Sequence, residues 1–347
     1  MHSYPRPEKP VQITRFEPAS ASAAELSEYV GVQLAASSVD ESRERALTAD
    51  SALASLTRPP SPGQRRIHSV ARCPGTDAMA GVSRLALFGA ADSDLAAISI
   101  TVHPGWRRQG IGTALLRELA TAAGSRNNLF IENIRPGTPP QAFADHHGFA
   151  VVQRTVQLSL DLALTDRARW QVPASAGYRL AHWTDAAPED LLTSYATARN
   201  AISQAPRGGM SFTEPEWSPQ RVRDEEAAIR ARDGELRAVA AVHEQTGQVA
   251  GLTYLVVYQN RPELADQEDT AVLAAHRGHG LGAWMKAANL QRLAADRPAV
   301  KRVRTSNAAE NEHMLRVNHQ VGFRAEETSE NREVRLAELI GRLGPVR

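Results

Sequence analysis

Val102-His103-Pro104-Gly105-Trp106-Arg107-Arg108-Gln109-Gly110-Ile111-Gly112 decides the fold, because a second stretch of the chain repeats its pattern. The repeat is Val272-Leu273-Ala274-Ala275-His276-Arg277-Gly278-His279-Gly280-Leu281-Gly282. Both stretches end in Arg-x-x-Gly-x-Gly after a strand-like segment, and the two arginines lie 170 positions apart in a chain of 347 residues. Such self-similarity at one offset indicates an internal duplication.

Two further landmarks repeat in the same order. Gly148-Phe149 and Gly322-Phe323 lie 174 positions apart, and the aromatic residues Phe16 and Trp183 lie 167 apart. The length of the chain also suggests two domains. The sequence therefore predicts an N-terminal domain over 1–166, a linker over 167–176 and a C-terminal domain over 177–347.

The hydrophobic periodicity predicts an α/β fold in both copies. Ile98, Ile100 and Val102 alternate with smaller or polar residues, which is typical of a strand, and Leu115 and Leu119 recur at helical spacing after the glycine turn. In the first copy we expect further elements at 128–134 (strand), 139–147 (helix) and 150–162 (strand). In the second copy we expect a strand over 269–273, a helix from 281, a strand over 300–306 and a helix over 310–321.

The composition excludes several classes of protein. Forty basic residues balance 39 acidic ones, so the net charge of +1 gives no reason to expect a nucleic-acid or membrane partner. The single cysteine, Cys73, forms no internal disulfide, and no signal sequence or membrane span is recognisable, which predicts a cytoplasmic protein. His146-His147 and His276-x-x-His279 have no carboxylate or cysteine at ligand spacing, so no metal site is predicted.

The glycine turns are candidate anion sites. The first amides of a helix lack internal partners and lie at the positive end of the helix dipole, and glycine lets a phosphate approach the backbone. Arg107, Arg108 and Arg277 add positive charge, so a pyrophosphate is the expected ligand. Gly278-x-Gly280-x-x-Ala283 also satisfies a dinucleotide-binding pattern, but the first copy has Arg108 where that pattern needs glycine.

These motifs resemble the signature of the GNAT superfamily of acyl-CoA-dependent N-acyltransferases. That signature is [Q/R]-x-x-G-x-[G/A] after an apolar strand, followed by a helix that ends in Gly-Phe. The second copy also resembles tandem GNAT proteins of actinobacteria in Ala205-Pro206, Glu214-Pro215-Glu216-Trp217, Thr305-Ser306-Asn307 and Asn311-Glu312-His313-Met314. The resemblance implies two GNAT-like α/β (α+β) domains in tandem, each with a mixed, mostly antiparallel central sheet flanked by helices.

The resemblance also implies that acetyl-CoA (coenzyme A) binds at the turns. Main-chain amides would hold its pyrophosphate, and its pantetheine arm would pair with Ile100–Val102 or Thr270–Val272 like an added strand. The implied cofactor-binding residues of the first copy are Val102, Arg107, Arg108, Gly110, Ile111, Gly112 and Thr113. Those of the second copy are Val272, Leu273, Arg277, Gly278, His279, Gly280, Leu281, Gly282, Ala283, Asn307 and Asn311.

Catalytic residues are expected in the second copy. Glu268 and Asp269 lie at the start of its cofactor strand as candidate general bases, whereas the 170-residue offset equates them with Ile98 and Ser99. GNAT enzymes often place a tyrosine acid before the Gly-Phe landmark, where this chain has Ala144 and Asn318. Asn318 is therefore only a hydrogen-bond donor in that role, and the first copy is interpreted as a degenerate domain that keeps the cofactor turn.

Two other segments of the second copy receive interpretations. By the resemblance, the loop over 204–219 helps to form the acceptor pocket, although packing between the copies explains it too. The polar residues Asn307, Asn311 and Asn318 recur at helical spacing, which favours one cofactor-facing stripe. Glu225 and Glu226, among arginines, are interpreted as part of an ordinary charged helix surface.

Together these patterns predict an N-acyltransferase that moves an acetyl group from acetyl-CoA to the amine of a small molecule. Direct attack with general-base help suffices, so no covalent nucleophile is required. Three alternatives stay open: a non-catalytic acyl-CoA-binding sensor, a transferase whose acyl donor is an acyl carrier protein, and a transferase whose acceptor is the amine of a protein. Monomer and homodimer are both compatible with the sequence.

Overall fold

The computed structural model describes residues 11–40, 47–60, 64–73, 77–89, 94–204, 208–211 and 216–344. Parts of the expected acceptor loop, 205–207 and 212–215, lie outside the described residues, including Ala205-Pro206 and Glu214-Pro215. None of the helices in the described ranges has both the length and the apolar composition that crossing a bilayer requires.

The chain forms two compact units, and neither is continuous in sequence. The N-terminal unit contains Met1–Val152, Gly209–Thr213 and Glu330–Arg347, and the C-terminal unit contains Gln153–Gly208 and Glu214–Ser329. Each has a mostly antiparallel sheet flanked by helices, so the predicted fold class is confirmed.

The sheet of the N-terminal unit has the strand order β1-β2-β3-β4-β5-β12. Neighbouring strands are antiparallel except β4 and β5, which are parallel. The elements of this unit are β1 Gln12–Phe16, α1 Ala23–Asp40, α2 Ala49–Thr57, β2 Arg65–Arg72, β3 Met79–Leu87, β4 Leu95–Val102, α3 Ile111–Ala123, β5 Asn128–Ile134, α4 Pro139–His146, the end of β12 Arg324–Arg335, and α9 Leu336–Leu343.

The sheet of the C-terminal unit has the order β7-β8-β9-β10-β11-β6, with the same single parallel pair, β10 and β11. Strand for strand, it repeats the N-terminal pattern. The elements are β6 Ala150–Asp161, β7 Tyr178–Thr184, α5 Glu189–Arg199, α6 Pro219–Arg230, β8 Gly234–His243, β9 Val249–Tyr258, β10 Leu264–Val272, α7 Leu281–Asp296, β11 Arg302–Ala308 and α8 Glu312–Val321.

The sixth strand of each sheet comes from the other half of the sequence. Residues 155–161 of β6 pair with β11 in the C-terminal unit, whereas residues 330–335 of β12 pair with β5 in the N-terminal unit. The structure therefore divides the chain differently from the sequential boundaries at 166 and 177. Periodicity identifies a strand but carries no information about which sheet the strand will join, so this exchange could not be predicted from the sequence.

Helices cover both faces of each sheet. In the N-terminal unit, α3 buries Leu115, Leu116 and Leu119 completely against one face, and α1 and α2 cover the other. In the C-terminal unit, α7 covers one face, and α5 and α6 cover the other. Each fully buried leucine contributes about 1.5 to 3 kcal/mol of hydrophobic stabilisation.

Both glycine turns need left-handed backbone at two positions. Gly110 and Gly280, the N-caps of α3 and α7, have φ of +82° and +70°. Two residues earlier, Gly278 has φ of +84°, and its counterpart Arg108 holds the same region at +64°. A side chain in this region costs about 1 to 2 kcal/mol, so only the first copy carries strain at this point.

The parallel strand pairs end early in both units. Strand β4 pairs with β5 only from Leu95 to Ala97, and β10 pairs with β11 only from Leu264 to Asp266. The remainder of β4 and β10 is paired on its other side alone, within the described residues. Each unit therefore has a strand with a free hydrogen-bonding edge that leads into the glycine turn.

We expect Gly278→Ala to lower the free energy of unfolding by about 1 kcal/mol, because alanine is strained at positive φ although an added Cβ would meet no atom within 4 Å. The matched control is Gly31→Ala in the interior of α1, where the space is also open and the helix should gain stability. Urea unfolding checks both variants. Destabilisation of equal size in the two would contradict the proposed cause.

Candidate active site

The glycine turns present free backbone donors at two helix N-termini. The first internal bond of α3 runs from the Ala114 amide to the Gly110 carbonyl, at 2.9 Å, and that of α7 from Trp284 to Gly280, at 3.1 Å. The amides of 111–113 and 281–283 therefore have no acceptor within their helices. A Cβ at Gly110, Gly278 or Gly280 would meet nothing within 4 Å, so the space before each turn suits a diphosphate.

The arginines of the two motifs brace the turns. Nε of Arg107 donates to the Val102 carbonyl at 3.3 Å, and Nε of Arg277 donates to the Val272 carbonyl at 3.2 Å. Arg107 also forms a two-pronged ion pair with Asp40, with N···O distances of 2.8 and 2.5 Å. The expectation that Arg107 simply adds positive charge is therefore wrong, because Asp40 neutralises it.

Other residues expected at the turns have structural partners. The Thr113 hydroxyl lies 3.2 Å from Nε2 of His147, and the Leu273 amide donates to the Ala250 carbonyl at 2.9 Å. The rings of His279 and Tyr178 are 5.4 Å apart, and the Tyr178 hydroxyl lies 2.9 Å from Nδ1 of His276. Tyr178 therefore packs against two histidines of the second turn, His276 and His279.

The three asparagines do not share one helical face. Asn307 lies on β11, Asn311 caps α8 by accepting from the Met314 amide at 3.1 Å, and only Asn318 lies within the helix. The prediction of one polar stripe was wrong because α8 begins at Glu312. Asn318 is completely buried, and its Nδ2 donates to Oδ1 of Asn307 at 2.6 Å.

Glu268 and Asp269 lie in a β-bulge of β10. Gln267 pairs with Leu255 and Thr270 pairs with Thr253, so the two carboxylates together oppose the single residue Tyr254. A bulge of this kind re-aims side chains. Nε2 of Gln267 donates to the Tyr254 carbonyl at 2.8 Å and so satisfies a backbone group beside the bulge.

The first copy has no such bulge. Its registers pair Ile98 with Leu85 and Ser99 with Arg84 without interruption. Ile98 therefore corresponds to Gln267, and Ser99 alone stands where the second copy has Glu268 and Asp269. The constant offset of 170 equated Glu268 with Ile98, which is wrong by one position because of the extra residue in β10.

Arg199 joins three polar groups beside the bulge. Its Nη2 donates to Asp269 at 2.9 Å and to the Tyr254 hydroxyl at 3.1 Å, and lies 3.5 Å from Glu225. The guanidinium stacks on Trp217, 3.4 Å from the ring centroid. Arg199 is only 2% exposed, so this ion pair is largely shielded from water and holds Asp269 in place.

Glu268 differs from Asp269 in having no partner. Its carboxylate makes no hydrogen bond or ion pair with any residue in the described ranges. Desolvation raises the pKa of Glu268 to about 7, and the negative charges of Asp266, Asp269 and Glu225 raise it further. Glu268 is nonetheless an exposed residue by its surface area, as a group that meets a substrate must be. The arrangement provides a proton acceptor that changes state near neutral pH.

Both units combine a strand that has one free edge with a glycine turn at a helix N-terminus. Residues 66–151 match the model of the acetyltransferase (GNAT) domain. Over its length the chain also matches a solved tandem GNAT protein from the clavulanic acid biosynthesis pathway, at 26% identity and a TM-score of 0.77. The match covers 97% of this chain and all of the other. The chain has the tandem GNAT fold.

A second solved structure supports the same fold. A GCN5-related N-acetyltransferase from Sphaerobacter thermophilus matches with a TM-score of 0.69 and 15% identity, over 94% of this chain and 96% of that one. At this identity the likeness shows the tandem GNAT architecture alone. Among curated proteins, none matches this chain in sequence.

Several residues of this candidate site were missed by sequence reasoning. Arg199, Tyr254 and Trp217 come from three separate segments, and no local motif joins them. The interpretation of Glu225 and Glu226 as an ordinary charged surface was wrong. Glu225 faces Arg199, and Glu226 is buried, accepts from the Ala187 amide at 2.8 Å and pairs with Arg223 at 2.7 Å. The available signal was the position of Glu225 and Glu226 on α6, two helical turns after Trp217.

We expect Arg199→Met to cost about 3 kcal/mol or more of unfolding free energy, because Asp269 and Glu225 lose their shared cation. The control is Arg221→Met. The guanidinium of Arg221 also stacks on Trp217, 4.1 Å from the ring centroid, and its loss should cost less than about 1 kcal/mol of unfolding free energy. Equal losses in both variants, measured by urea unfolding, would contradict the central role of Arg199.

Proposed function

We propose that this protein is an acyl-CoA-dependent N-acetyltransferase that acts on the amine of a small molecule, with the chemistry in the C-terminal unit. The observation that carries the proposal is the position of Glu268. It is an unpaired carboxylate with a pKa of about 7, on the strand whose free edge leads into the second glycine turn.

The residues of the chain suffice for direct transfer. The bound donor supplies the acetyl group as a thioester. Glu268 takes the proton from the attacking nitrogen as the new C–N bond forms and the C–S bond breaks, and the thiolate leaves with the electron pair of that bond. Arg199 holds the carboxylate of Asp269 in one position, beside the place proposed for the amine. Positioning and one base account for the reaction.

The backbone has a separate task in binding. The amides of 281–283, with the open space before Gly278 and Gly280, fit the donor's diphosphate. The edge of Thr270–Val272 is available to hydrogen-bond the amides of a pantetheine arm. The same features over 111–113 and Ile100–Val102 lead us to propose a second donor site in the N-terminal unit.

An amine suits the charges around the bulge. Glu225, Glu268 and Asp269 supply three carboxylates against the single guanidinium of Arg199. An ammonium group would be attracted to this surplus of negative charge. The related tandem GNAT protein comes from a biosynthetic pathway of a small molecule, which supports a small-molecule acceptor over a protein.

One observation favours a second candidate, a non-catalytic acyl-CoA sensor. The positions where the family often has a tyrosine acid hold Ala144 and Asn318, and both are fully buried. Neither can meet a departing thiolate in this arrangement. A CoA thiolate leaves readily without help, so we give transfer precedence. Titration that shows donor binding, with no thiol released by any amine, would favour the sensor.

We expect thiol release from acetyl-CoA, measured with a panel of small amines, to have a kcat/KM that rises with pH through about 7. Glu268 must be ionised to accept a proton, so its raised pKa sets the pH at which kcat/KM rises; we call this rise the basic limb. Glu268→Gln should remove the limb and lower kcat about 100-fold or more. Glu263→Gln, an exposed carboxylate before the same strand, is the control.

Asp269→Asn separates the two carboxylates. We expect it to lower the chemical step while the affinity for CoA stays unchanged and the limb near pH 7 persists. Loss of the limb in Asp269→Asn together with its persistence in Glu268→Gln would transfer the role of base to Asp269.

Calorimetric titration with CoA tests the two proposed diphosphate sites at the glycine turns before α3 and α7. We expect two equivalents to bind the wild type and one to bind either Gly110→Asp or Gly280→Asp, because a carboxylate at the helix N-terminus repels a diphosphate. Aspartate tolerates left-handed backbone, and both positions are open, so the fold should survive. If either variant still binds two equivalents of CoA, the substituted turn is not a diphosphate site.

A further inference from the structure

The N-terminal unit contains a polar cavity away from its glycine turn. The cavity has a volume of about 170 Å³ and lies between the sheet and the helices α1 and α2. Tyr29 and Gln33 line it from α1, and Arg84 and Ser99 line it from β3 and β4. A volume of this size corresponds to about six water molecules at about 30 Å³ each, so the cavity suits only a small ligand.

One row of side chains forms the floor of this cavity. His68 pairs with Arg84 across β2 and β3, and Arg84 pairs with Ser99 across β3 and β4. Directly opposed residues of antiparallel strands project from the same face, so the three side chains lie side by side. They face α1, whose Tyr29 hydroxyl lies 3.3 Å from Nδ1 of His68.

The cavity has a single uncompensated positive charge. Arg84 makes no ion pair or hydrogen bond through its side chain with any residue that the structure describes, and none of the described residues that line the cavity is a carboxylate. Burial, with the charges of Arg84 and Arg66, lowers the pKa of His68 to about 4, so its imidazole is neutral at physiological pH. The buried Oε1 of Gln33 also has no partner among the described residues.

The same row in the C-terminal unit has the opposite charge. Ala238 stands in place of His68, Tyr254 in place of Arg84, and the bulge carboxylates in place of Ser99. Duplication has therefore left two sites at corresponding points of the two sheets. One is acidic and contains a candidate base, and the other is basic and contains none.

We propose that the N-terminal cavity is a binding site for a small organic carboxylate that is held and not acylated. The guanidinium of Arg84 would bind the carboxylate, and the hydroxyls of Ser99 and Thr101 can donate further hydrogen bonds. With one guanidinium and a neutral histidine, the site balances one negative charge, which favours a monoanion over a phosphate dianion. This inference rests on the N-terminal unit alone and does not depend on the proposed function.

The test is calorimetric titration of the full chain, saturated with CoA, with N-acetylglycine, acetate and β-hydroxybutyrate as probes. We expect at least one probe to bind, and its Kd to rise tenfold or more in both Arg84→Met and Ser99→Asp. The second variant replaces the Ser99 hydroxyl by a carboxylate opposite the guanidinium and leaves no gap in the cavity wall, so its effect does not come from lost packing. Circular dichroism checks that both variants fold.

Three controls complete this experiment. N-acetylglycinamide, which has no charge, should not bind, and inorganic phosphate should bind more weakly than the best carboxylate. Arg179→Met, an exposed arginine of β7, should leave the Kd unchanged. The proposal is overturned if no carboxylate probe binds the folded wild type, or if binding persists undiminished in Arg84→Met and Ser99→Asp.

Discussion

The rest of the structure depends on the early separation of one parallel strand pair in each unit. Three residue pairs join β4 to β5, and three join β10 to β11, before the partners part. Backbone donors and acceptors that a continuous sheet would satisfy are then left facing open space. The glycine turn and the helix N-terminus follow directly, so one run of chain offers both an edge for amides and a cradle for a diphosphate.

The two copies have kept this backbone arrangement and diverged in the side chains beside it. In the second copy one extra residue in β10 brings Glu268 and Asp269 opposite Tyr254, and Arg199 from α5 engages one of the pair. In the first copy the register is uninterrupted, and Arg84 remains without a counter-charge among the described residues. The proposed contacts to the acyl donor are made by the backbone. The neighbouring row of side chains can therefore change its charge without loss of those contacts.

Much of the framework follows from the sequence because its signals are local. Glycines at positive φ, apolar residues at helical spacing on α3 and alternation on β4 are each determined within a few residues, and the structure has them where expected. Arg199, Trp217 and Tyr254 meet through tertiary packing, which no periodicity encodes. The bulge was equally invisible, since one inserted residue shifts a register without leaving a motif.

The origin of the sixth strands has a consequence for biosynthesis. The sheet of the N-terminal unit is completed by residues 330–335, and Leu336 and Leu339 of α9 join its core. Most of this unit lies before residue 153 of the chain, yet its edge beside β5 gains its partner strand only when residues 330–335 have been synthesised. A nascent chain stalled after residue 152 would expose that edge and the gap in the core that Leu336 and Leu339 fill, so the N-terminal unit is completed only after most of the second copy has been synthesised.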